Sequence, residues 1–428
     1  GGGAAGARAA ADASLAGAKT TIAVKGQFAA IGTRGAGASA GGLSWRGGMF
    51  TNDRVVPPFD PETDYWNIIA SGAGMADPKL VRIQADDITL SNRVMQQRGQ
   101  AFGSLGLKAH GVSTICALEN TIRRQGVEIQ QRTMITDLLV QDGRVAGAVG
   151  VVEPTGETIV IKAGAVILGT GGNAQIYVNN LHPSCVTGDG YAMGYEVGAE
   201  LMNMEFAQTY MATAYPTRNI FVQSWCWPPT PQGRYLKFLN GKGEEFIFKY
   251  LPPGGSVEEC LNQKACHAPL STMDTLSRYF DLAVMGEIVA GRTTPHGGIY
   301  VDMTDPRIPT PWETREFFAY RGIDFAAGPV ELTICHQCSN GGFRIDENAQ
   351  TTVPGLYAAG EAATGNHGAD RMGGHMLAAC MIFGSRAARH AATETKGQGA
   401  PDVAQGAIAD RVARIESLRD RKGDVRPA

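Results

Sequence analysis

Apolar and polar positions change period several times along this chain, and each change predicts an element. Gly3 to Ala18 is almost entirely small and apolar, which predicts an Ala-rich helix, and Thr20 to Val24 follows as a short apolar strand. Thr33 to Gly42 is a Gly/Ala/Ser loop. Apolar residues recur at helical spacing through Asp77–Gln97, with Pro78 suited to a first helical turn. Val127–Ile129, Met134–Val140 and Arg144–Val152 read as strands of a β-meander, with Asp142-Gly143 as a hairpin turn. Gly156-Glu157 turns the chain again before Thr158–Lys162. Ala165–Leu168 is a fully apolar strand running into Gly169-Thr170-Gly171-Gly172, and Gly188 to Ala199 reads as a helix.

From about Phe206 to Leu332 the pattern changes. Aromatics and prolines become frequent (Trp225, Trp227, Pro228, Pro229), and helical segments are separated by long loops. Gly-rich strand-turn-helix logic resumes at Gly341 and holds to about His390, and Asp402 to Arg421 predicts a charged amphipathic helix. The expected organisation is an α/β chain with a discontinuous Rossmann-like domain, made of a parallel sheet plus the β-meander, over 1–205 and 333–392. An inserted α+β domain covers 206–332, and a helical region begins over 393–428.

Composition sharpens this picture at one point. Of 428 residues 56 are Gly, against a usual ~7%, and they cluster rather than spread. Clustered glycine in a chain that is 43% hydrophobic and 18% charged marks backbone brought close to a ligand. A net charge of −3 without a basic run argues against nucleic acid or an anionic membrane as main partner. No stretch is long and apolar enough to predict a membrane span. Eight scattered cysteines fit a reducing compartment. The one close pair, Cys335-His336-Gln337-Cys338, is a lone CxxC without the second pair that a zinc site needs, so no metal site is expected, and a dithiol role stays a minor alternative.

Gly1-x-Gly3-x-x-Gly6 before a helix is the dinucleotide fingerprint, which seats a pyrophosphate on a helix N-terminus. The acidic ribose ligand expected about 20 residues on is missing, because that stretch reads Ile22-Ala23-Val24-Lys25. A second signal is Val353-Pro354-Gly355-Leu356-Tyr357-Ala358-Ala359-Gly360-Glu361, continuing through Asn366-His367-Gly368-Ala369-Asp370-Arg371-Met372-Gly373-Gly374-His375-Met376-Leu377. Two glycines entering an apolar helix place N–H groups and a positive dipole end against an anion.

With these segments, Ala165–Gly172, Thr187–Phe206 and Arg292–Asp302 in family order, the chain resembles the flavoprotein subunits of the fumarate reductase, succinate dehydrogenase and L-aspartate oxidase family. The resemblance implies FAD in an extended pose and a capping domain over about 206–332. It implies Gly1, Gly3 and Gly6 at the pyrophosphate, Ser39, Gly41 and Gly42 along the flavin, and Gly171 and Gly172 on the adenine side. Asp189 and Glu361, beside Gly360, would bind ribityl or ribose hydroxyls, and Gly374 would lead the Met376–Leu377 backbone to flavin O2. Covalent members carry a histidine near position 36, where this chain reads Arg34-Gly35-Ala36-Gly37, so noncovalent FAD is expected.

Substrate chemistry follows from the same resemblance. The family's proton-delivering arginine falls on Arg292, and its carboxylate clamp on Arg371, whose guanidinium fork matches a carboxylate; an ordinary salt bridge is the plainer use of either. Two family histidines are displaced. Tyr210 stands where the family reads His after Met-Glu-Phe, and Gln337 holds the His-x-x-x-Gly-Gly spacing, with His336 one residue early. His367 and His375 flank Arg371. The candidate catalytic set is therefore Arg292, Arg371, His367, Tyr210 and His336, and these changes favour a bulkier or less charged substrate than a C4-dicarboxylate.

The expected activity is hydride transfer between flavin N5 and a C–C or C–N bond beside a carboxylate or carbonyl. The alternatives are an amino-acid oxidase of the L-aspartate oxidase type and a flavin electron-transfer subunit without substrate. Electrons would pass to an iron–sulfur or other electron-transfer subunit on another chain, to quinone, to haem or to oxygen. A cytoplasmic protein is expected, or one that is membrane-associated through a partner subunit. The chain opens inside its phosphate loop and closes at the start of a helical region, which reads as part of a longer subunit.

Overall fold

The computed structural model describes residues 1–28, 60–100, 111–218, 229–230, 232–266, 275–308, 316 and 318–419. The predicted loop Thr33–Gly42, with Ser39, Gly41 and Gly42, and the tryptophans Trp225 and Trp227 lie outside them.

Helix α1 (Ala4–Leu15) starts at N-cap Gly3, and strand β1 (Thr21–Val24) follows it. Helices α2 (Pro61–Ser71) and α3 (Pro78–Gln97) start alike: Asp60 and Asp77 cap the first turn with their carboxylates, and a proline takes the next position, where no N–H is needed. After α4 (Gly111–Arg124) comes β2 (Glu128–Gln131). It is not part of the meander that the sequence predicted. It pairs in parallel with β1, Thr21 opposite Glu128, because its partner lies over a hundred residues away and local alternation cannot name it.

The meander itself is β3 (Thr133–Gln141), β4 (Arg144–Val152) and β5 (Glu157–Lys162). Asp142 (φ 52°) and Gly143 (φ 73°) give its first hairpin the left-handed pair that a two-residue turn requires. Strand β6 (Val166–Leu168) follows, then α5 (Asp189–Glu196), shorter than predicted because Ala199 N–H closes back on Gly194 O.

Beyond β7 (Leu201–Met202), the region expected to be an α+β insertion contains a four-stranded antiparallel sheet. Its strands are β8 (Ala207–Tyr215), β9 (Lys237–Leu239), β10 (Ile299–Asp302) and β11 (Val330–Ser339), in the order β8-β11-β10-β9. Helices α6 (Val257–Cys266) and α7 (Ser277–Val289) lie between β9 and β10 in the chain. Tyr210, Phe238, Phe246, Phe280, Phe318 and Leu332 form one buried cluster here. Strand β11 includes position 332, with a register shift against β8 between Glu331 and Leu332.

The chain then returns through β12 (Gly342–Arg344), β13 (Leu356–Ala358) and β14 (Ala363–Thr364). β13 pairs in parallel with β6 and β14 with β12, while β7 joins β12 antiparallel. Helix α8 (His375–Glu394) packs along α1, and α9 (Gln405–Arg419) lies against the meander. The α1–α8 contact is close because both faces are small: a Cβ on Gly384 would stand 2.8 Å from Ala5 O. No helix among the described residues is long and apolar enough to cross a membrane.

Candidate functional site

The entry to α1 is built from interlocking glycines. A Cβ on Gly1 would meet Gly169 O at 2.2 Å, one on Gly6 would meet Gly1 O at 1.9 Å, and one on Gly169 would meet Gly6 N at 2.6 Å. These three let the loop after β6 touch the first turn of α1. Gly3 is different: a Cβ there would meet nothing within 4 Å, and as N-cap it offers no side chain to the first-turn N–H groups. Open space in front of free helix donors is a seat for a phosphate.

Gly171 follows at φ 75°, and a Cβ on Gly172 would stand 2.5 Å from Glu361 Oε1. That oxygen accepts from Ser339 N–H at 2.9 Å, the other lies 3.9 Å from His182 Nδ1, and Tyr191 O–H donates to the Glu361 carbonyl at 2.6 Å. Gly360, at φ 69°, packs its backbone against Cys380. The hydroxyl of Thr170 is buried without a partner. Asp189 accepts from Lys25 Nζ at 2.7 Å, and Lys25 also reaches Thr187 Oγ at 2.7 Å. Lys25, which follows β1 where the sequence lacks an acid, is thereby paired in space with Asp189 at the start of α5.

The second glycine entry leads into α8. Gly373 has open space at its Cβ position, and Gly374 (φ 82°) caps the helix whose first residues are His375, Met376 and Leu377. Three elements hold the loop before it. From α2, Ser71 O–H donates to Asp370 O at 2.8 Å, and Gly72 O accepts from Ala369 N–H. From β8, Gln208 Nε2 donates to Asp370 Oδ1 at 2.6 Å and to Arg371 O at 2.9 Å. Asn340 Nδ2 donates to Ala369 O at 2.9 Å. Held this way, Arg371 is 4% exposed; Nη1 donates to Met372 O, and Nε is buried with no partner. A buried guanidinium with a spare donor awaits an acceptor.

The histidines divide by environment. His375 Nε2 lies 3.1 Å from both carboxylate oxygens of Asp64, tying α8 to α2. His367 is buried beside Asn366, and burial, with Arg371 and His375 nearby, holds its ring well below the ordinary range for protonation. His336 stacks on Tyr177 with ring centroids 4.3 Å apart, and Nε2 lies 3.3 Å from Ser339 Oγ. Burial, with His182 nearby, lowers it to about 4, so it is neutral at pH 7. Burial lifts the Cys335 thiol to about 12 and the Cys338 thiol to about 11, which keeps both protonated.

Tyr210 and Arg292, both in the predicted catalytic set, have partners within the inserted region. Tyr210 is fully buried in the aromatic cluster, opposite Cys335 in the β8–β11 ladder. Arg292 makes a two-point pair with Glu287, Nε to Oε2 at 2.7 Å and Nη2 to Oε1 at 2.9 Å. Tyr250 O–H and Asn240 Nδ2 donate to the same carboxylate at 2.8 and 3.0 Å. Hydrogen bonds, chiefly from Arg292, overcome burial and hold Glu287 at about 2, and Glu287 raises the Arg292 guanidinium further. The residues that the sequence reading missed are Gln208 and Asp64, whose partners come from distant segments, and Glu287, which pairs with Arg292 five residues on. The open space at Gly3 and Gly373 and the unpartnered Thr170 hydroxyl fit an elongated anionic cofactor such as FAD, and the spare Arg371 donor remains beside it.

The pattern of the family described as "FAD binding domain" matches residues 93–377. A fumarate reductase (CoM/CoB) chain of Methanothermobacter marburgensis is 31% identical over 401 residues, covering 87% of this chain and 69% of its own length. The fumarate reductase flavoprotein of a Serratia strain is 32% identical over 304 residues, 68% of this chain and 48% of that one. The chain thus spans about half to two thirds of these relatives. Among solved structures, a mutant E. coli quinol fumarate reductase superposes with a TM-score of 0.77 at 24% identity, covering 100% of this chain and 75% of that one.

Proposed function

The chain belongs to the FAD-binding family of the fumarate reductase flavoproteins, and from that premise we propose an FAD-dependent oxidoreductase acting on a small acid or carbonyl compound. The observation that carries the reading is Arg371, a buried arginine with an unsatisfied Nε two residues before the Gly373-Gly374 entry to α8. When bound, FAD would supply two-electron hydride chemistry at N5, toward a C–C or C–N bond next to a carboxylate or carbonyl.

Gly3 would receive the pyrophosphate in a turn that Gly1 and Gly6 let close, with Gly171 and Gly172 on the adenine side and Asp189, steadied by Lys25, at a ribose or ribityl hydroxyl. Glu361 fits this role through Oε2, since Oε1 is committed to Ser339. Gly374, Met376 and Leu377 would present backbone N–H groups to the pyrimidine end. Attachment would be noncovalent. Arg371 would orient the substrate's acid group, and the neutral His336 and His367 would act as hydrogen-bonding groups rather than acids at pH 7.

Arg292 enters this reading differently from the expectation. Its Nε and Nη2 are committed to Glu287 and Tyr250, and the pairing strengthens its hold on its proton, so we assign it to bracing the region around α7 rather than to proton delivery. Electrons would be exchanged with a partner on another chain, in the cytoplasm or at a membrane through that partner.

The test is flavin release followed by anaerobic titration. FAD should leave the protein on acid precipitation, and the bound flavin should bleach, or reoxidise after chemical reduction, with one class of acid or carbonyl compound. Bleaching by an amino acid with peroxide formation in air would assign the oxidase type instead. No response to any such compound would contradict the enzyme reading.

A further inference from the structure

Away from the glycine-lined entries, α1, α3 and α8 meet at a buried charge that does not balance. Asp12 of α1 is 4% exposed and accepts from Arg8 Nε at 2.8 Å, from Arg98 Nη2 and from Ser385 Oγ at 2.5 Å. Arg8 itself is 2% exposed. Two guanidinium groups therefore share one carboxylate. Nη1 of Arg8 and Nη1 of Arg98 are both buried with no hydrogen-bond partner.

A guanidinium cannot relieve this by losing its proton at ordinary pH, so an unpaired positive charge and two unmade hydrogen bonds remain. Burial pulls Arg8 below its ordinary value, Asp12 offsets this only in part, and Arg98 and Arg389 add charge of the same sign. Of the groups that hydrogen-bond this junction among the described residues, Ser385 is neutral and Asp12 already accepts three hydrogen bonds.

We propose that this junction binds a small monovalent inorganic anion of the chloride class, which accepts from Nη1 of Arg8 and Nη1 of Arg98. One negative charge balances the Arg8–Asp12–Arg98 cluster, and a spherical ion makes no demand on the direction of its donors. The anion would brace α1, whose first turn forms the phosphate seat, against α8. The inference stands on these three helices alone and does not need the cofactor.

The experiment is thermal unfolding of the protein as purified, with chloride titrated against methanesulfonate at constant ionic strength. The unfolding temperature of the wild type should rise saturably with chloride, and Arg98→Met should abolish that chloride-dependent part. An equal chloride response in Arg98→Met, or none in the wild type, would overturn the site. If Arg98→Met does not fold, anomalous diffraction from wild-type crystals grown in bromide decides. A peak within hydrogen-bond reach of both Nη1 atoms supports the site, and its absence there rejects it.

Discussion

Gln208 Nε2 donates to Asp370 Oδ1 at 2.6 Å, so a neutral side chain on β8 pins the residue immediately before Arg371. The same nitrogen holds the Arg371 carbonyl at 2.9 Å, and Gln208 Oε1 accepts from the Cys338 thiol at 3.1 Å. Gln208 thus joins the antiparallel sheet to the loop that carries the candidate substrate arginine.

Gln208→Leu should therefore loosen that loop without touching substrate. A buried hydrogen bond to a charged group contributes about 1.5–3 kcal/mol, so thermal unfolding should show a loss of that size. In steady-state kinetics KM for the acid should rise more than kcat falls. An unchanged KM would show that Arg371 does not depend on this clamp.

Arg371→Lys should keep the charge and lose the fork. The expected loss in kcat/KM is about 1.5–3 kcal/mol, roughly 10- to 150-fold, with the FAD content of the purified protein unchanged. Equal activity in the variant would assign Arg371 a structural role.

Glu287 gives a stability signature at low pH. Its folded-state value of about 2 lies below the ordinary 4.5, so its contribution is fully present above about 4.5 and is lost as pH falls toward 2. Glu287→Gln should remove that part of the acid sensitivity and cost stability at pH 7 by about 1–3 kcal/mol, discounted for the partly exposed Arg292. With Arg292 proposed as a brace, kcat should change less than the unfolding temperature does.

His336 predicts a different window. Its folded value of about 4 lies below the ordinary 6.5, so between those limits the unfolded chain binds the proton and the folded chain does not. Stability should fall as pH drops from about 6.5 to 4, and His336→Gln should flatten that part of the curve when unfolding is followed at fixed pH steps.

Much of the fold was legible because it is written locally. The caps Gly3, Asp77 and Gly374, the Asp142-Gly143 hairpin and the apolar run before Gly169 each act within a few residues, and each predicted element stands in the structure. The misreadings share one cause. β2 alternates like a meander strand but pairs with β1, and within the expected α+β insertion no strand is placed, since the partner of β8, β11, comes over a hundred residues later. Sequence distance also hid the site's support. Asp64 and Gln208 matter through Asp64–His375 and Gln208–Asp370, and nothing in their neighbourhood names a partner about 300 or 160 residues away, whereas the Glu287–Arg292 pair spans only five residues.

The central claim is that Arg371 holds an acid group for redox exchange with bound FAD. Stopped-flow absorbance of the dithionite-reduced, FAD-loaded protein, mixed anaerobically with a panel of α,β-unsaturated acids and carbonyl compounds, tests it most directly. Saturable reoxidation by one compound class, slowed at least tenfold in Arg371→Met, is the expected result. Reduced flavin untouched by every member of the panel, or reoxidised equally fast in Arg371→Met, would contradict it.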